Sequence, residues 1–246
     1  MMDANLPSKD RCIDIVFCMD GTTSMRPCFE SVKANSLRFY ADLTRAMTEL
    51  GSAITMLRTR TIVFRDYKSN GAEAVLSSRF FELPDEEKDF AEHLAGLKVR
   101  GGCGEDANGL EALYYAMKSD FATGANDRQI IVLFADTDAI PLGKRSRFDS
   151  YPKDMVDPDG LLETWMCVQT RPTRLRERNK RLVMFAPPDT VYERMGQTYN
   201  RSVFVPVQIH KGLDGMAFGD IVKIIAASAS AAYWRPPPPP PRGVWI

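Results

Sequence analysis

The sequence predicts a single α/β domain in which a central, mainly parallel sheet lies between two layers of helices. Strand-like segments alternate with amphipathic segments along most of the chain, which is typical of this architecture. The first strand-like segment, CIDIVFCM at 12–19, is almost continuously apolar, as expected of a strand that is buried on both faces of a parallel sheet. A chain of 246 residues with 44% hydrophobic content can bury one sizeable core.

Each element follows from local periodicity and from the residues at its ends. Apolar and β-branched segments predict strands at 12–19, 61–67, 79–83, 129–136, 181–186 and 202–209. Apolar residues at spacings of three and four predict helices at 27–50, 84–97, 107–119, 190–195 and 217–233. The first helix has Pro27 in its first turn and Gly51 as its stop signal. The apolar spacing of GLLETWMCV places Trp165 and Met166 in the core.

Two segments depart from this rhythm. Residues 139–160 contain three prolines and no clear period, which predicts a long loop inserted over the edge of the sheet; a lid or a partner contact is the alternative. The domain is expected at 11–233, after a polar leader at 1–10. Residues 234–246 form a proline-rich tail, predicted to be extended polyproline II because proline has no amide hydrogen. This tail is either a stiff spacer or a second contact for a partner.

Composition narrows the partners and the compartment. The 32 basic and 32 acidic residues cancel, so no overall field attracts nucleic acid or an anionic membrane. Five cysteines without a C-x-x-C pair are typical of free thiols in a reducing cytoplasm. Neither a signal peptide nor an apolar run of about 18 residues is present, so a cytoplasmic protein is expected. The basic segment 171–181 is interpreted as a solvated helix face and not as a phosphate-binding site.

Oxygen-bearing side chains follow the predicted strands. In the segment DIVFCMDGTTSM at 14–25 the apolar run ends at Asp20 and gives way to a glycine and three hydroxyls. Asp136 and Asp138 follow a second strand, and a glycine-rich loop at 101–106 carries Glu105 and Asp106. Ligands of open parallel sheets bind at the carboxyl ends of the strands. Carboxylates and hydroxyls without a histidine or cysteine cluster suit Mg²⁺ better than zinc.

A phosphatase is one interpretation of the first segment. MDGTTS resembles the D-x-D-G-T nucleophile loop of the haloacid dehalogenase superfamily. That chemistry needs an aspartate two positions before Asp20, and the sequence has Cys18 there. The phosphatase interpretation therefore lacks its nucleophile. A metal-free scaffold with a degenerate site is the other alternative.

A second resemblance covers more of the chain. The segment IDIVFCMDGTTSM is similar to the first strand and loop of von Willebrand factor A domains, whose metal-ion-dependent adhesion site begins with D-x-S-x-S. Asp20, Thr22 and Ser24 take the three ligand positions, and threonine keeps the hydroxyl of the serine that it replaces. FRDY, GGCGEDANGLEAL and VLFADTDAIPL are similar to later segments of the family, in the same order. The resemblance extends from residue 12 to about 230 and implies a three-layer, Rossmann-like fold.

The family resemblance also implies a function. Asp138 would be the ligand from the third loop, with Asp136 as a neighbour or substitute; Glu105 or Asp106 would supply the oxygen of the middle loop. Asp106 could instead be the N-cap of the next helix, and Glu111 is interpreted as a solvated or partner-bridging residue. The site would hold Mg²⁺ or Mn²⁺, and an acidic side chain of a protein partner would complete the coordination without catalysis. Bacterial relatives of this kind often belong to stress or defence systems.

Overall fold

A seven-stranded, mostly parallel sheet forms the centre of the molecule. The structure, a computed structural model, describes residues 11–100, 106–208 and 216–230. The strands are β1 (Cys12–Asp20), β2 (Met56–Phe64), β3 (Val75–Ser77), β4 (Phe81–Leu83), β5 (Arg128–Phe134), β6 (Lys180–Ala186) and β7 (Ser202–Pro206). Their order is β3-β2-β1-β5-β6-β7, and β4 also pairs with β2. Only β3 and β4 run antiparallel to their neighbour in these pairings.

Helices cover both faces of the sheet, so the predicted three-layer α/β/α fold is confirmed. They are α1 (Arg26–Glu49), α2 (Tyr67–Asn70), α3 (Glu87–Gly96), α4 (Gly109–Met117), α5 (Pro158–Trp165), α6 (Val191–Thr198) and α7 (Phe218–Ala229). Helices α1, α3 and α7 pack on one face with Ile15 and Phe17 of β1. Helices α4, α5 and α6 pack on the other face with Val16 and Cys18. Because successive residues of a strand alternate between these two cores, β1 is apolar throughout.

The predicted elements are present, with three corrections. Segment 171–181 is not a helix but a series of turns that leads into β6. Met166, which the sequence predicts to lie in the core, is 39% exposed, whereas Trp165 is fully buried as predicted. The segment 139–160, predicted to be a loop throughout, includes the start of a helix, because α5 begins at Pro158. Its N-cap is Asp157, whose carboxylate accepts a hydrogen bond of 2.8 Å from the Gly160 amide.

The amino ends of β5 and β6 are tied to the end of α7. Arg128 Nε donates to the Ala229 carbonyl at 2.8 Å, and Arg181 Nε donates to the Ser228 carbonyl at 3.0 Å. These carbonyls belong to the last turn of the helix, where backbone acceptors have no partner within the helix. The two arginines therefore fix the end of α7 against the sheet. Within the described residues, no helix has the length and apolarity needed to cross a membrane.

Candidate metal site

The loop between β1 and α1 gathers three side-chain oxygens. Asp20 is the last residue of β1 and is fully buried. Its Oδ1 accepts a hydrogen bond of 2.9 Å from the Thr22 amide, and Thr22 Oγ1 lies 3.3 Å from Ser24 Oγ. A 3-10 turn at Thr23–Met25 follows and leads into α1. The carboxylate and both hydroxyls of the predicted motif are therefore adjacent.

Gly21 allows this loop to lie directly against β2. A Cβ atom at this position would be 2.7 Å from Val63 Cγ1 and 2.9 Å from Arg65 Nε. The Gly21 amide donates to the Phe64 carbonyl at 2.8 Å, which holds the loop at the end of β2. Glycine is required here by the close approach of the neighbouring strand, because a methyl group would displace one of these side chains.

Asp20 has one carboxylate oxygen without a partner. Its Oδ2 is buried and has no hydrogen-bond partner. The pKa of Asp20 is raised to about 7, mainly by burial and also by the negative charge of Asp136, although hydrogen bonds from Thr22 and the positive charge of Arg65 act in the opposite direction. Asp136 follows β5 and is itself fully buried. A buried carboxylate oxygen next to a second carboxylate is costly unless a cation or a proton satisfies it.

Asp138 and Asp106 interact through their charges. Asp138 Oδ1 accepts 2.8 Å hydrogen bonds from the Ala139 and Val191 amides, so this oxygen is used at the start of α6. Asp106 is exposed. Partial burial and then the charge of Asp138 raise the pKa of Asp106, whereas Lys144 and Arg145 lower it. The charge of Asp136 thus acts on Asp20, the charge of Asp138 acts on Asp106, and the charges of Asp20 and Asp138 both act on Tyr192. Glu105 lies outside the described residues.

Two interpretations of the middle loop are wrong. Asp106 does not cap the following helix, because α4 begins at Gly109 with Asn108 at the N-cap. Glu111 is not solvated, because its side chain is fully buried. Its Oε1 accepts hydrogen bonds of 2.9 Å from Asn108 Nδ2 and from the Tyr151 hydroxyl. Its Oε2 has no hydrogen-bond partner, and burial raises the pKa of this carboxyl.

Tyr192 is influenced by the charges of Asp20, Asp138 and Glu111, and sequence analysis does not single it out. The ring is 1% exposed, and a Cβ at Gly109 would be only 2.0 Å from its hydroxyl oxygen. Burial raises the pKa of Tyr192 well above its ordinary value, and the charges of Asp20 and Asp138 raise it further. A tyrosine in a short amphipathic helix is indistinguishable from any core aromatic residue. The approach of its hydroxyl to Gly109 at the start of α4 becomes visible only in the folded structure.

Cys18 lies inside the second core and away from the hydroxyl loop. Its sulfur is fully buried and lies 3.8 Å from the Ala112 carbonyl of α4. Burial raises the pKa of this thiol, which disfavours the nucleophilic thiolate. A cysteine in this position offers no replacement for the aspartate of a haloacid dehalogenase.

The side-chain oxygens near Asp20 can hold a hard cation only if the Thr22 and Ser24 hydroxyls are ligands together with the carboxylates. Across 11–100, 106–208 and 216–230, no three histidine, cysteine, aspartate or glutamate side chains are grouped to hold a metal ion. Asp20 and Asp136 supply two carboxylates, and Thr22 and Ser24 supply two hydroxyls. Oxygen donors of this kind suit Mg²⁺, which accepts hydroxyl and water ligands next to one or two carboxylates.

Comparison with known proteins supports the fold alone. No protein-family model matches the chain, and neither does any curated protein sequence. The pilus adhesin SpaC from Lactobacillus rhamnosus GG is 12% identical, with a TM-score of 0.53 over 89% of this chain and 30% of the adhesin chain. Proximal thread matrix protein 1 from the mussel byssus is 10% identical, with a TM-score of 0.51 over 89% of this chain and 48% of its own. The chain thus spans less than half the length of either protein.

Proposed function

We propose that the protein is a metal-dependent protein-binding domain of the von Willebrand factor A type. Mg²⁺ or Mn²⁺ would be held by Asp20, Thr22, Ser24 and Asp136. The observation that carries the proposal is the buried Asp20 Oδ2, which lacks a hydrogen-bond partner and faces the charge of a second buried carboxylate. A divalent cation would remove both penalties at once.

In this proposal the third-loop ligand is Asp136, the substitute for Asp138 that the family resemblance also allows. Asp138 already accepts two backbone hydrogen bonds through Oδ1, and its charge acts on Asp106. Asp136 acts on Asp20 and is therefore the better candidate. In the proposed site Asp138 would bind the cation through water, and the middle loop would contribute through either Asp106 or Glu105, the latter outside the described residues.

Such a site would recognise a partner through the metal. Mg²⁺ prefers six oxygen ligands in octahedral geometry, so four protein oxygens leave positions for water or for a carboxylate of the partner. A cytoplasmic location within a bacterial stress or defence system rests on the sequence resemblance alone.

Thermal unfolding with and without metal tests the proposal. MgCl₂ or MnCl₂ is expected to raise the melting temperature of the wild-type chain relative to EDTA, because a ligand at 100 times its Kd stabilises the folded state by about 2.7 kcal/mol. Asp20→Ala and Asp136→Asn should abolish this shift. Asp138→Asn and the surface variant Asp42→Asn on α1 should retain it.

Two results would contradict the proposed metal site. If millimolar metal leaves the melting curve of the wild-type chain unchanged, the domain is a metal-free scaffold. If Asp138→Asn abolishes the shift and Asp136→Asn does not, the ligand from the third loop is Asp138. A pull-down with and without EDTA then tests whether partner capture depends on the metal.

A further inference from the structure

Arg65 follows β2 directly and is buried at the end of the sheet where the proposed metal site lies. The residue is only 3% exposed. Two of its nitrogens donate to backbone carbonyls: Nη1 to Glu73 at 3.0 Å and Nη2 to Lys98 at 2.6 Å. Among the described residues, the third nitrogen, Nε, is buried without a hydrogen-bond partner. The hydrogen bonds of this guanidinium in the described part of the chain therefore go to carbonyls and not to carboxylates.

The burial of this positive charge is unfavourable by itself. Burial lowers the pKa of Arg65, and the positive charge of Arg100 lowers it further, whereas the charges of Glu73 and Asp20 act in the opposite direction. The Glu73 carboxylate is exposed and already binds Arg100 at 2.7 Å. Carbonyl oxygens compensate a buried full charge only in part. Asp20 is thus the buried acidic residue among the charges that act on Arg65.

The guanidinium of Arg65 lies against the loop that carries the proposed ligands. A Cβ atom at Gly21, the residue after Asp20, would be 2.9 Å from Arg65 Nε and 3.1 Å from Cζ. The Gly21 carbonyl also accepts a hydrogen bond of 2.8 Å from the Arg100 amide. The backbone next to Asp20 is therefore held beside a fixed positive charge.

The buried charges of the proposed site would not cancel once a divalent cation is bound. Asp20 and Asp136 are fully buried, and a divalent cation neutralises their two negative charges. Arg65 adds a positive charge that water screens poorly, because it is buried. Asp106 is exposed and Asp138 is partly exposed, so water screens their charges more strongly. The loaded site would therefore hold one buried positive charge in excess.

We propose, on the basis of the metal site proposed above, that Arg65 makes cation binding and partner binding depend on each other. Without an anionic ligand, the charge of Arg65 repels the cation and weakens its binding. A carboxylate of the partner neutralises the excess positive charge, so the cation and the carboxylate stabilise each other. By thermodynamic linkage, the carboxylate raises the affinity for the cation by the factor by which the cation raises the affinity for the carboxylate.

Titration of the full chain with Mn²⁺, with the free ion measured by electron paramagnetic resonance, tests the effect of the charge. Arg65→Met is expected to bind Mn²⁺ about tenfold more tightly than the wild-type chain, because the repulsion is removed. Arg65→Lys keeps the charge and should bind like the wild type. Arg60→Met is the matched control, because Arg60 is a partly buried arginine of β2 that lies opposite Val16, four positions before Asp20. It should not change the affinity.

The dependence on an anion is the readout that a purely structural role of Arg65 would leave unchanged. Sodium acetate supplies the carboxylate, and sodium chloride at equal ionic strength is the reference. Acetate is expected to tighten Mn²⁺ binding to the wild-type chain and to Arg65→Lys, and to have a smaller effect on Arg65→Met. A titration without protein corrects for the Mn²⁺ that acetate binds in solution.

Three outcomes overturn the proposal. Circular dichroism first establishes that Arg65→Met is folded; if it is not, Arg65→Gln takes its place. If the folded variant binds Mn²⁺ no more tightly than the wild type, Arg65 only holds the carbonyls of Glu73 and Lys98. If acetate acts equally on both chains, Arg65 does not couple the two ligands. If neither chain binds Mn²⁺, the metal site itself is wrong and this proposal fails with it, a result that differs from the other two.

Discussion

The two oxygens of the buried Glu111 carboxylate have different surroundings. One oxygen of its carboxylate is held by Asn108 and Tyr151, and the other is buried without a partner. Two neutral donors on one oxygen do not compensate for the burial of a full charge, because an uncompensated charge is expensive in a low-dielectric interior. The pKa of this carboxyl is therefore raised by its burial.

The raised pKa predicts how stability changes with pH. A carboxyl whose pKa is higher in the folded protein favours folding below its unfolded pKa of about 4.3, and this contribution is lost as the pH rises through the folded pKa. Glu111→Gln removes the titration but keeps an oxygen for Asn108 and Tyr151. We expect the free energy of unfolding of Glu111→Gln, relative to wild type, to increase between pH 4 and pH 8, as measured by urea denaturation.

Glu86→Gln provides the control for that experiment. The hydrogen bond from Arg79 lowers the pKa of Glu86, so its ionised form is favoured in the folded protein. Its contribution is complete above the unfolded pKa, and the difference between this variant and wild type should stay constant at higher pH. A constant difference for Glu111→Gln as well would mean that Glu111 is solvated in solution.

At the scale of elements, the long segment after β5 is held at two points. Arg145 donates to both oxygens of Asp66 at 2.6 and 2.8 Å, and Tyr151 donates to Glu111. Asp66 also caps α2 through the Lys68 amide. The segment therefore joins the ends of β2 and α4, next to the candidate metal site, and it is more than a surface insertion.

We expect Arg145→Met to loosen this segment locally. Hydrogen bonds to a charged group contribute about 1.5–3 kcal/mol each, and 1.4 kcal/mol corresponds to a factor of ten. Amides at 143–151 should therefore exchange with solvent about tenfold faster or more, while those of β5 stay protected, as hydrogen–deuterium exchange would measure. Arg147→Met, which changes an exposed arginine of the same segment, should have no such effect. Equal exchange in both variants would show that packing alone holds the segment.

Sequence reasoning worked where one physical rule dominates. Continuous apolar runs predicted β1, β5 and β6, because a strand covered on both faces has no polar side. It failed at β3 and α2, which are three and four residues long and have no room for a period. It also failed at Glu111, since a glutamate in the first turn of a helix is usually solvated. Only the arrival of Tyr151 from the long segment buries it.

At the scale of the whole molecule, buried charged side chains lie at both ends of the sheet. Asp20 and Asp136 lie at the carboxyl ends of β1 and β5, and Arg128 and Arg181 lie at the amino ends of β5 and β6. Sequence predicts that Asp20 and Asp136 share an edge, because parallel strands align their carboxyl ends. It does not predict that the first amide of α6 binds Asp138, because that contact depends on how α6 packs in the folded chain.

The arginines at the other end close the layer formed by α1, α3 and α7. Burial lowers the pKa of Arg128, and the neighbouring positive charges of Arg11 and Arg201 lower it further, so the burial of this charged side chain is unfavourable by itself. Hydrogen bonds from Arg128 to the Ala229, Asn126 and Asp127 carbonyls offset this penalty. An acceptor left buried without a partner costs about 1–3 kcal/mol.

Arg128→Met is therefore expected to lower the free energy of unfolding by about 1–3 kcal/mol, because methionine fills the space but donates no hydrogen bond. Urea denaturation measures the loss, and hydrogen–deuterium exchange should locate it in the last turn of α7. Arg38→Met on the exposed side of α1 is the control and should change stability by less than about 0.5 kcal/mol. Unchanged exchange in α7 would mean that apolar packing on the sheet fixes the helix end without the arginine, since Ile225 and Ala226 are already fully enclosed there.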